Sequence, residues 1–313
     1  MIDPSTVTIR RKAYHNIFSD VLITCCVVYM ITGCASLETA KNIGRTKDVR
    51  GSFGTYDGEP RGKDHRVDVR RLISELVEIH ANTYNFLIWH RSTDWEDLKR
   101  FLPLARKKNI LVWVSLMPPS ESPPRTKRYS EPFRLDYERW AVEIAKLGRK
   151  HRNLVAWSID DFTHNLDFYT PERMRQILNK AHEINPKLAF VPCLYYRAIK
   201  RIARDYEGLF DGILFPYRHE SDKSNLTDPS LVEPEVNELR TRFGPSVPII
   251  IDVYATAHSR LGDSTPEYVR RVMTAAKQCA DGVHIYCHQD KKRNPEKYAI
   301  IKELFHSWSI EAN

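Results

Sequence analysis

Two adjacent carboxylates are the sharpest chemical feature of this sequence. Asp160 and Asp161 directly follow the apolar run Leu154–Ile159, which has the length and composition of a buried strand. Desolvation and mutual repulsion should raise the pKa of one of these carboxyls, so that it keeps a proton near neutral pH and can act as a general acid. The alternative is that one aspartate caps a turn while the other faces solvent. We favour the catalytic interpretation, since residues at the carboxyl ends of buried parallel strands commonly form active sites.

Further polar and aromatic residues directly follow other apolar runs. Aromatic rings pack on the apolar faces of sugar rings, while carboxylates and guanidinium groups bind hydroxyls. For each aromatic residue alone, packing at a strand end is the favoured explanation, because tyrosine is amphipathic. As a set they favour a carbohydrate cleft, with Asp252 as a third candidate catalytic carboxylate. The residues that we predict to bind substrate are Tyr56, Trp89, His90, Tyr195, Tyr217, Arg218, Tyr254 and His288.

Metal and cofactor chemistry have little support in the sequence. The five histidines near predicted strand ends are His90, His164, His219, His258 and His288. No two of these five have the His-x-His or His-x-x-x-His spacing that places two metal ligands together. A Walker loop, a G-x-G-x-x-G sequence and a Cys-x-x-Cys pair are absent as well. We therefore predict no metal and no cofactor, and a metal site assembled from several strands stays an open alternative.

These residues are positioned by eight predicted strands that alternate with helices from Gly51 onward. Several strands are continuously apolar, as parallel strands buried on both faces should be. Between them, apolar residues recur at i, i+3, i+4 and i+7, and a threonine precedes proline where two helices should begin, at Thr170 and Thr265. The predicted strands are Ser52–Tyr56, Thr83–Trp89, Ile110–Leu116, Leu154–Ile159, Leu188–Pro192, Gly212–Phe215, Val247–Ile251 and Val283–Tyr286.

Eight strand–helix units in about 260 residues have the size and order of a (β/α)8 TIM barrel, which is a single α/β domain. An open doubly wound sheet is the alternative, but it does not need eight repeats of this regularity. In a barrel the carboxyl ends of the strands form the active-site face, so the predicted site residues should converge there.

The first 33 residues have the features of a bacterial export signal. The cations Arg10 to Lys12 precede the uncharged, mostly apolar stretch Val21–Gly33, which is too short to span a bilayer. The stretch ends in Ile-Thr-Gly-Cys, which resembles the lipobox, whose cysteine carries a diacylglycerol after cleavage.

We therefore predict a signal peptide over 1–33, lipidation of Cys34, a tether over 34–50 and the barrel over 51–313. A plain signal peptide is the alternative. The predicted location is the bacterial cell envelope, and the outer membrane if the organism is Gram-negative.

The composition is that of an ordinary globular protein. The apolar fraction of 42% excludes a disordered chain, and the charged fraction of 28% excludes a polytopic membrane protein. Lysine and arginine total 48 against 40 acidic residues, but no basic run exceeds three residues, so we predict no nucleic-acid partner. Beyond Cys34 the cysteines are Cys193, Cys279 and Cys287, and their places in a barrel predict three free thiols.

Five segments, in the right order, resemble the bacterial hyaluronidase/O-GlcNAcase-type β-N-acetylglucosaminidases. They are Gly51–Gly54, Asn82–Tyr84, Ile159–Asn165, Phe190–Tyr195 and Pro248–Asp252, and they span roughly residues 51–260. The resemblance implies a TIM barrel in which the substrate's own 2-acetamido group attacks the anomeric carbon. It further implies that Asp160 orients this amide and that Asp161 protonates the leaving oxygen and then activates water.

The sequence thus predicts an exported, lipid-anchored glycoside hydrolase with a carbohydrate substrate and membrane contact through Cys34. The resemblance implies glycans that contain N-acetylhexosamine. One alternative is a conventional two-carboxylate glycosidase that uses Asp161 and Asp252. Another is a non-catalytic, glycan-binding envelope lipoprotein, because fold alone does not determine function. The oligomeric state is not predicted.

Overall fold

The computed structural model describes residues 44–311, and eight parallel strands within this range form one sheet. The strands are β1 Phe53–Tyr56, β2 Thr83–Ile88, β3 Leu111–Leu116, β4 Leu154–Ile159, β5 Ala189–Phe190, β6 Ile213–Pro216, β7 Ile249–Tyr254 and β8 Gly282–Tyr286. The helices that follow them in turn are α1 Val69–Glu78, α2 Asp94–Arg106, α3 Tyr137–Lys150, α4 Pro171–Ile184, α5 Ile199–Asp205, α6 Val232–Phe243, α7 Pro266–Cys279 and α8 Pro295–Glu311. The strands are hydrogen-bonded in the order β5-β4-β3-β2-β1-β8-β7-β6.

Backbone hydrogen bonds close this sheet into a barrel between the segment after β5 and strand β6. The Leu194 N–H donates to the Leu214 carbonyl at 2.9 Å, and the Leu214 N–H donates to the Pro192 carbonyl at 3.0 Å. Cys193 and Leu214 thereby form a parallel bridge. The predicted fold, a single-domain (β/α)8 TIM barrel, is confirmed.

The strands are buried on two faces, which explains why their sequences are almost continuously apolar. In β2, Phe86 and Ile88 pack with the helices, whereas Leu87 packs inside the barrel with Trp113 and Ile250 from other strands. This alternation follows the two-residue period of a strand. A side chain near a strand end therefore points either into the barrel or toward the helices, and only the first direction leads to the barrel mouth.

Threonine side chains begin two helices, as predicted. Thr170 Oγ1 accepts a hydrogen bond from the Arg173 N–H at 3.3 Å, and Thr265 Oγ1 accepts one from the Tyr268 N–H at 3.1 Å. In both helices proline occupies the first turn, where no intrahelical partner exists for the N–H that proline lacks. These caps determine where α4 and α7 begin, and therefore how long the loops at the barrel mouth are.

The last residues of the predicted tether, 45–50, pack on the barrel and belong to its compact unit. Val49 is fully buried in the cluster that fills the barrel interior. Arg45 Nε lies 2.6 Å from Asp211 Oδ1. Residues 45–50 of the predicted tether therefore contact the barrel, while the boundaries 1–33, 34–50 and 51–313 stay predictions.

The predicted signal peptide, residues 1–33, and the predicted lipidation site Cys34 lie outside the described residues. Among residues 44–311, no helix combines the length and the apolar character needed to cross a membrane. In the same range the cysteines Cys193, Cys279 and Cys287 are free thiols.

Candidate active site

A cavity of about 560 Å³ lies at the carboxyl ends of the strands, where barrels of this fold carry their active sites. Its volume is within the range of sites that bind small molecules. Eight of the residues that we predicted for the site line this cavity. They are Tyr56, Trp89, Asp160, Asp161, Tyr195, Arg218, Asp252 and Tyr254.

The carboxyls of Asp160 and Asp161 reach the cavity from the end of β4. The Asp160 N–H donates to the Leu116 carbonyl at 2.9 Å and so continues the pairing with β3. Asp161 has the left-handed conformation, with φ 43° and ψ 34°, and its N–H donates to Asp160 Oδ1 at 3.0 Å. This conformation is uncommon for a residue with a side chain. It ends the strand abruptly and brings the two carboxyls within 4.8 Å of each other.

The two carboxyls differ in protonation because their surroundings differ. Burial raises the pKa of Asp160 to about 7, and repulsion from Asp161 adds to this increase. Burial also acts to raise the pKa of Asp161, but hydrogen bonds with His164 and Tyr195 outweigh it and hold this pKa below its usual value. The Tyr195 hydroxyl donates to Asp161 Oδ1 at 2.5 Å. With a pKa of about 7, about half of the Asp160 carboxyls keep a proton at neutral pH, whereas Asp161 is an anion. Asp160 is therefore the better candidate for the acid, the role that the family resemblance implied for Asp161.

Asp252 forms part of the cavity wall deep in the barrel. It is 2% exposed, and burial raises its pKa well above the usual value, with a further contribution from the charge of Asp160. Within residues 44–311 its Oδ1 atom has no hydrogen-bond partner. An unpaired buried oxygen is costly, so Asp252 is suited to exchange a hydrogen bond with a molecule in the cavity.

Aromatic rings and a guanidinium group lie beside the aspartates. The Tyr195 ring stacks on His164 with centroids 4.8 Å apart, and the Arg218 guanidinium lies 4.0 Å from the centre of the Tyr195 ring. The rings of Tyr254 and Tyr286 meet edge to face at 5.3 Å. These contacts hold the rings in place. The resulting wall offers apolar faces together with hydrogen-bonding groups, as the binding of a sugar ring requires.

Tyr217 and His288, which we predicted to bind substrate, do not line this cavity. Tyr217 is fully buried in the layer between sheet and helices, and its hydroxyl donates to the Asp228 carbonyl at 2.8 Å. His288 is buried, with its Nδ1 atom 3.0 Å from Thr55 Oγ1. The reason is the alternation of side chains at a strand end: Arg218 points into the cavity, so its neighbour Tyr217 points away from it.

His90 is also absent from the cavity wall, but it contacts a residue of that wall. Its Nε2 atom lies 2.6 Å from Asp57 Oδ1, and Asp57 lines the cavity. Burial acts to lower the pKa of His90, but the hydrogen bond and the charge of Asp57 raise it above its usual value. His90 therefore holds Asp57 in position and does not itself contact the cavity.

Several wall residues were not among the predicted site residues. Asp57 and His164 closely follow β1 and β4, so their position at strand ends was the signal that could have identified them. Glu121 and Arg125 come from the long loop after β3 and form an ion pair of 2.9 Å at the cavity. No periodic pattern in the sequence marks a loop residue of this kind.

Among the described residues, two clusters each bring three potential metal ligands within 4.8 Å of one another. The first consists of Asp57, Glu59 and His90, and the second of Asp160, Asp161 and Cys193. In the first cluster Arg61 already pairs with the Glu59 carboxyl. In the second, burial raises the pKa of the Cys193 thiol well above its usual value.

Comparison with solved structures gives neighbours of this chain. No protein-family model matches the chain, and no curated protein sequence matches it. A β-glucuronidase 2 from Bacteroides uniformis, covalently bound to cyclophellitol-6-carboxylate aziridine, is similar over 75% of this chain and 30% of its own, with a TM-score of 0.53 and 13% identity. A GH2 β-galacturonidase from Eisenbergiella tayi bound to galacturonate is similar over 82% of this chain and 51% of its own, with a TM-score of 0.53 and 13% identity.

A third neighbour is a β-glucuronidase from Ruminococcus gnavus in complex with D-glucuronic acid. It is similar over 81% of this chain and 49% of its own, with a TM-score of 0.51 and 11% identity. The chain thus spans between 30% and 51% of the length of these three proteins. At such low identity the likeness shows a shared barrel fold.

Proposed function

We propose that this chain is a glycoside hydrolase in which Asp160 is the general acid. The observation that carries the proposal is the placement of two adjacent carboxyls, Asp160 with a raised pKa and Asp161 with a lowered pKa, in an aromatic-walled cavity at the carboxyl ends of the barrel strands. Cleavage of a glycosidic bond needs both forms, because the leaving oxygen must be protonated while positive charge develops on the sugar. Neighbours of the same fold that act on glucuronides and galacturonides support this reaction class.

In the first step the Asp160 proton passes to the glycosidic oxygen, and the bond between that oxygen and the anomeric carbon breaks. The leaving sugar departs as an alcohol, and Asp160 is left as a carboxylate. It can then take a proton from the water that attacks the anomeric carbon, which restores the starting state. The anion Asp161, held by Tyr195 and His164, stabilises positive charge on the sugar ring throughout.

Two routes differ in what attacks the anomeric carbon first. In the acetamido route, the carbonyl oxygen of the substrate's 2-acetamido group attacks, and the Asp161 carboxylate accepts a hydrogen bond from the amide N–H. This route needs one acid and one anion side by side, which is the arrangement of Asp160 and Asp161. It applies only to N-acetylated sugars.

In the two-carboxylate route, Asp252 acts as nucleophile or as general base. Its position in β7, close enough to Asp160 for their charges to interact, favours this route. The Bacteroides uniformis neighbour is covalently bound to cyclophellitol-6-carboxylate aziridine, and this supports a route in which a side chain attacks the sugar. The burial of Asp252 and its raised pKa count against it, because a nucleophile must be ionised.

Three variants of the full chain separate these routes on a panel of aryl glycosides with and without N-acetyl groups. Asp160→Asn should lower turnover by about 10²–10⁴-fold, and least for the best leaving groups, which need little protonation. Asp161→Asn should be most damaging for N-acetylated substrates if the acetamido route holds. Asp252→Asn should lower turnover as much as Asp160→Asn does only if the two-carboxylate route holds.

Asp167→Asn is the matched control, since Asp167 is fully exposed in the loop that follows Asp161 and lies outside the cavity wall. It should leave turnover unchanged. Wild-type rates in all three aspartate variants would show that the site assignment is wrong. Binding of oligosaccharides without turnover of any glycoside would replace the hydrolase with a glycan-binding protein.

We further propose that the chain is exported and lipid-anchored through Cys34 in a bacterial cell envelope. The support is the sequence pattern of residues 1–34 alone, namely the cations, the short apolar stretch and the Ile-Thr-Gly-Cys sequence.

A further inference from the structure

A second cavity, of about 650 Å³, adjoins the candidate active site at the barrel mouth. The two cavities share wall residues at their junction, among them His164, Tyr195, Arg218 and His258. A molecule that occupies the first cavity can therefore extend into the second without leaving the protein surface. The second cavity thus lies where the neighbouring unit of an oligomeric substrate would be bound.

Positive charge dominates the wall of this second cavity. Arg197, Arg201, Arg218 and Arg260 all line it, whereas Glu220 is its single carboxylate among the described residues. The nearly buried Arg218 forms an ion pair with Glu220. The positive charges of the other three arginines therefore have no carboxylate to balance them within the cavity.

The other three arginines are exposed and weakly engaged. The Arg197 guanidinium donates to the neutral Ser224 hydroxyl at 3.0 Å. The Arg201 guanidinium lies 3.9 Å from a carboxylate oxygen of the fully exposed Asp167. An exposed ion pair at this distance contributes little to stability. These side chains can therefore turn toward a ligand at small cost. Arginine is also the side chain whose planar fork best matches the oxygens of a carboxylate or sulfate.

We propose that the second cavity is a subsite for a negatively charged sugar unit, which carries a carboxylate or a sulfate ester and is linked to the sugar bound in the first cavity. The proposal rests on the proposed function, because it assigns to that site an acidic glycan as substrate. Arg197 and Arg201, which line the second cavity alone, bind the oxyanion. Arg218, fixed by Glu220, and Arg260 line both cavities and mark the boundary between the two sugar positions.

Calorimetric binding to the full-length Asp160→Asn chain tests this subsite without turnover. The probes are a hyaluronan tetrasaccharide and a galacturonate tetrasaccharide for carboxylate, a keratan sulfate tetrasaccharide for sulfate, and chitotetraose as the neutral reference. We expect at least one acidic probe to bind about 10-fold or more tightly than chitotetraose, with an affinity that falls as salt rises. The acidic probe that binds identifies carboxylate or sulfate as the group recognised.

Adding Arg197→Gln and Arg201→Gln, which change residues of the second cavity alone, should remove most of that preference and leave chitotetraose affinity unchanged. Lys200→Gln is the matched control, because Lys200 neighbours Arg201 on α5 but does not line the second cavity. The subsite is refuted if no acidic probe binds more tightly than chitotetraose, or if the arginine changes weaken acidic and neutral probes equally.

The two proposals fail in different ways. If an acidic probe is preferred in a charge-dependent way but the wild-type chain cleaves no glycoside, the subsite is supported and the proposal of a hydrolase is refuted. Cleavage of neutral aryl glycosides that is unaffected by the arginine changes, with no acidic preference, would retain the hydrolase and refute the subsite.

Discussion

At the end of β4, two residues adjacent in the sequence have carboxyls whose pKa values are shifted in opposite directions. Asp160 continues the strand, and its burial and the nearby charge of Asp161 both oppose its ionisation. Asp161 is turned by its left-handed backbone toward Tyr195 and His164, whose hydrogen bonds favour its anion. In a regular strand, adjacent side chains point to opposite faces. The acid–anion pair therefore depends on the backbone turn as much as on the two residues.

We expect Asp160→Asn to raise the thermal unfolding midpoint, and to raise it more at pH 8 than at pH 4. Asp160 ionises near pH 4 in an unfolded chain, whereas burial holds its pKa at about 7 in the fold. A raised pKa of this kind contributes stability that is fully present only below about pH 4 and is lost as the pH rises to about 7. Asparagine carries no charge at any of these pH values, and its side-chain oxygen can still accept a hydrogen bond from the Asp161 N–H.

Melting curves of the wild type and of Asp160→Asn at pH 4, 6 and 8 measure this effect. Asp167→Asn is again the control, since its exposed carboxyl should change the midpoint little at any pH. A gain of the same size at all three pH values would show that the pKa of Asp160 is not raised in the fold.

The residues of the site were predictable where a side chain directly follows a long apolar run. Asp160 and Arg218 were found in this way, because the end of a strand is visible in the sequence. Tyr217 and His288 were misplaced, since the same pattern does not show toward which face a residue at the strand end points. The left-handed turn at Asp161 was equally invisible, because aspartate tolerates that conformation without requiring it.

At the scale of elements, the apolar runs predicted every strand to within three residues at each end. The prediction ended β7 at Ile251, but the strand continues to Tyr254, because Asp252 is a polar residue inside the barrel. The prediction made β5 too long. Only Ala189–Phe190 form regular ladder pairs, and Pro192 has no N–H to donate to a ladder. Composition shows which segments are buried but not which polar residues a barrel interior accepts.

The short segment 45–50 acts as an element of the barrel, and we expect Val49→Ala to destabilise the fold by roughly 1–3 kcal/mol. Val49 is fully buried, and its side chain lies close to Gly212, where an added Cβ would approach Val49 Cγ1 to 3.2 Å. Val77→Ala in α1 is the matched control, since Val77 is 44% exposed and should change stability by about 0.5 kcal/mol or less.

Denaturant unfolding of both variants gives the two free-energy changes. Equal and small effects would mean that residues 45–50 are a tether after all, as the sequence pattern indicated.

At the scale of the whole barrel, residues 45–50 and the cavity lie at opposite ends of the strands. Arg45 pairs with Asp211, just before β6, and Arg50 pairs with Asp281, just before β8. Both acids are thus at the amino ends of strands, whereas the cavity is at the carboxyl ends. The segment that leads toward the N-terminus therefore contacts the face of the barrel that the substrate does not use.

This separation underlies the prediction for Cys34→Ala. If Cys34 carries the lipid, the wild type should enter the detergent phase on phase separation, and the variant should stay in the aqueous phase. Substrate access and the unfolding midpoint of the barrel should not change, because residues 45–50 keep their contacts on the face opposite the cavity. Mass spectrometry of the purified wild type should show Cys34 as its modified first residue. A wild-type chain that begins elsewhere, or carries no lipid, would overturn the anchor while leaving the hydrolase untouched.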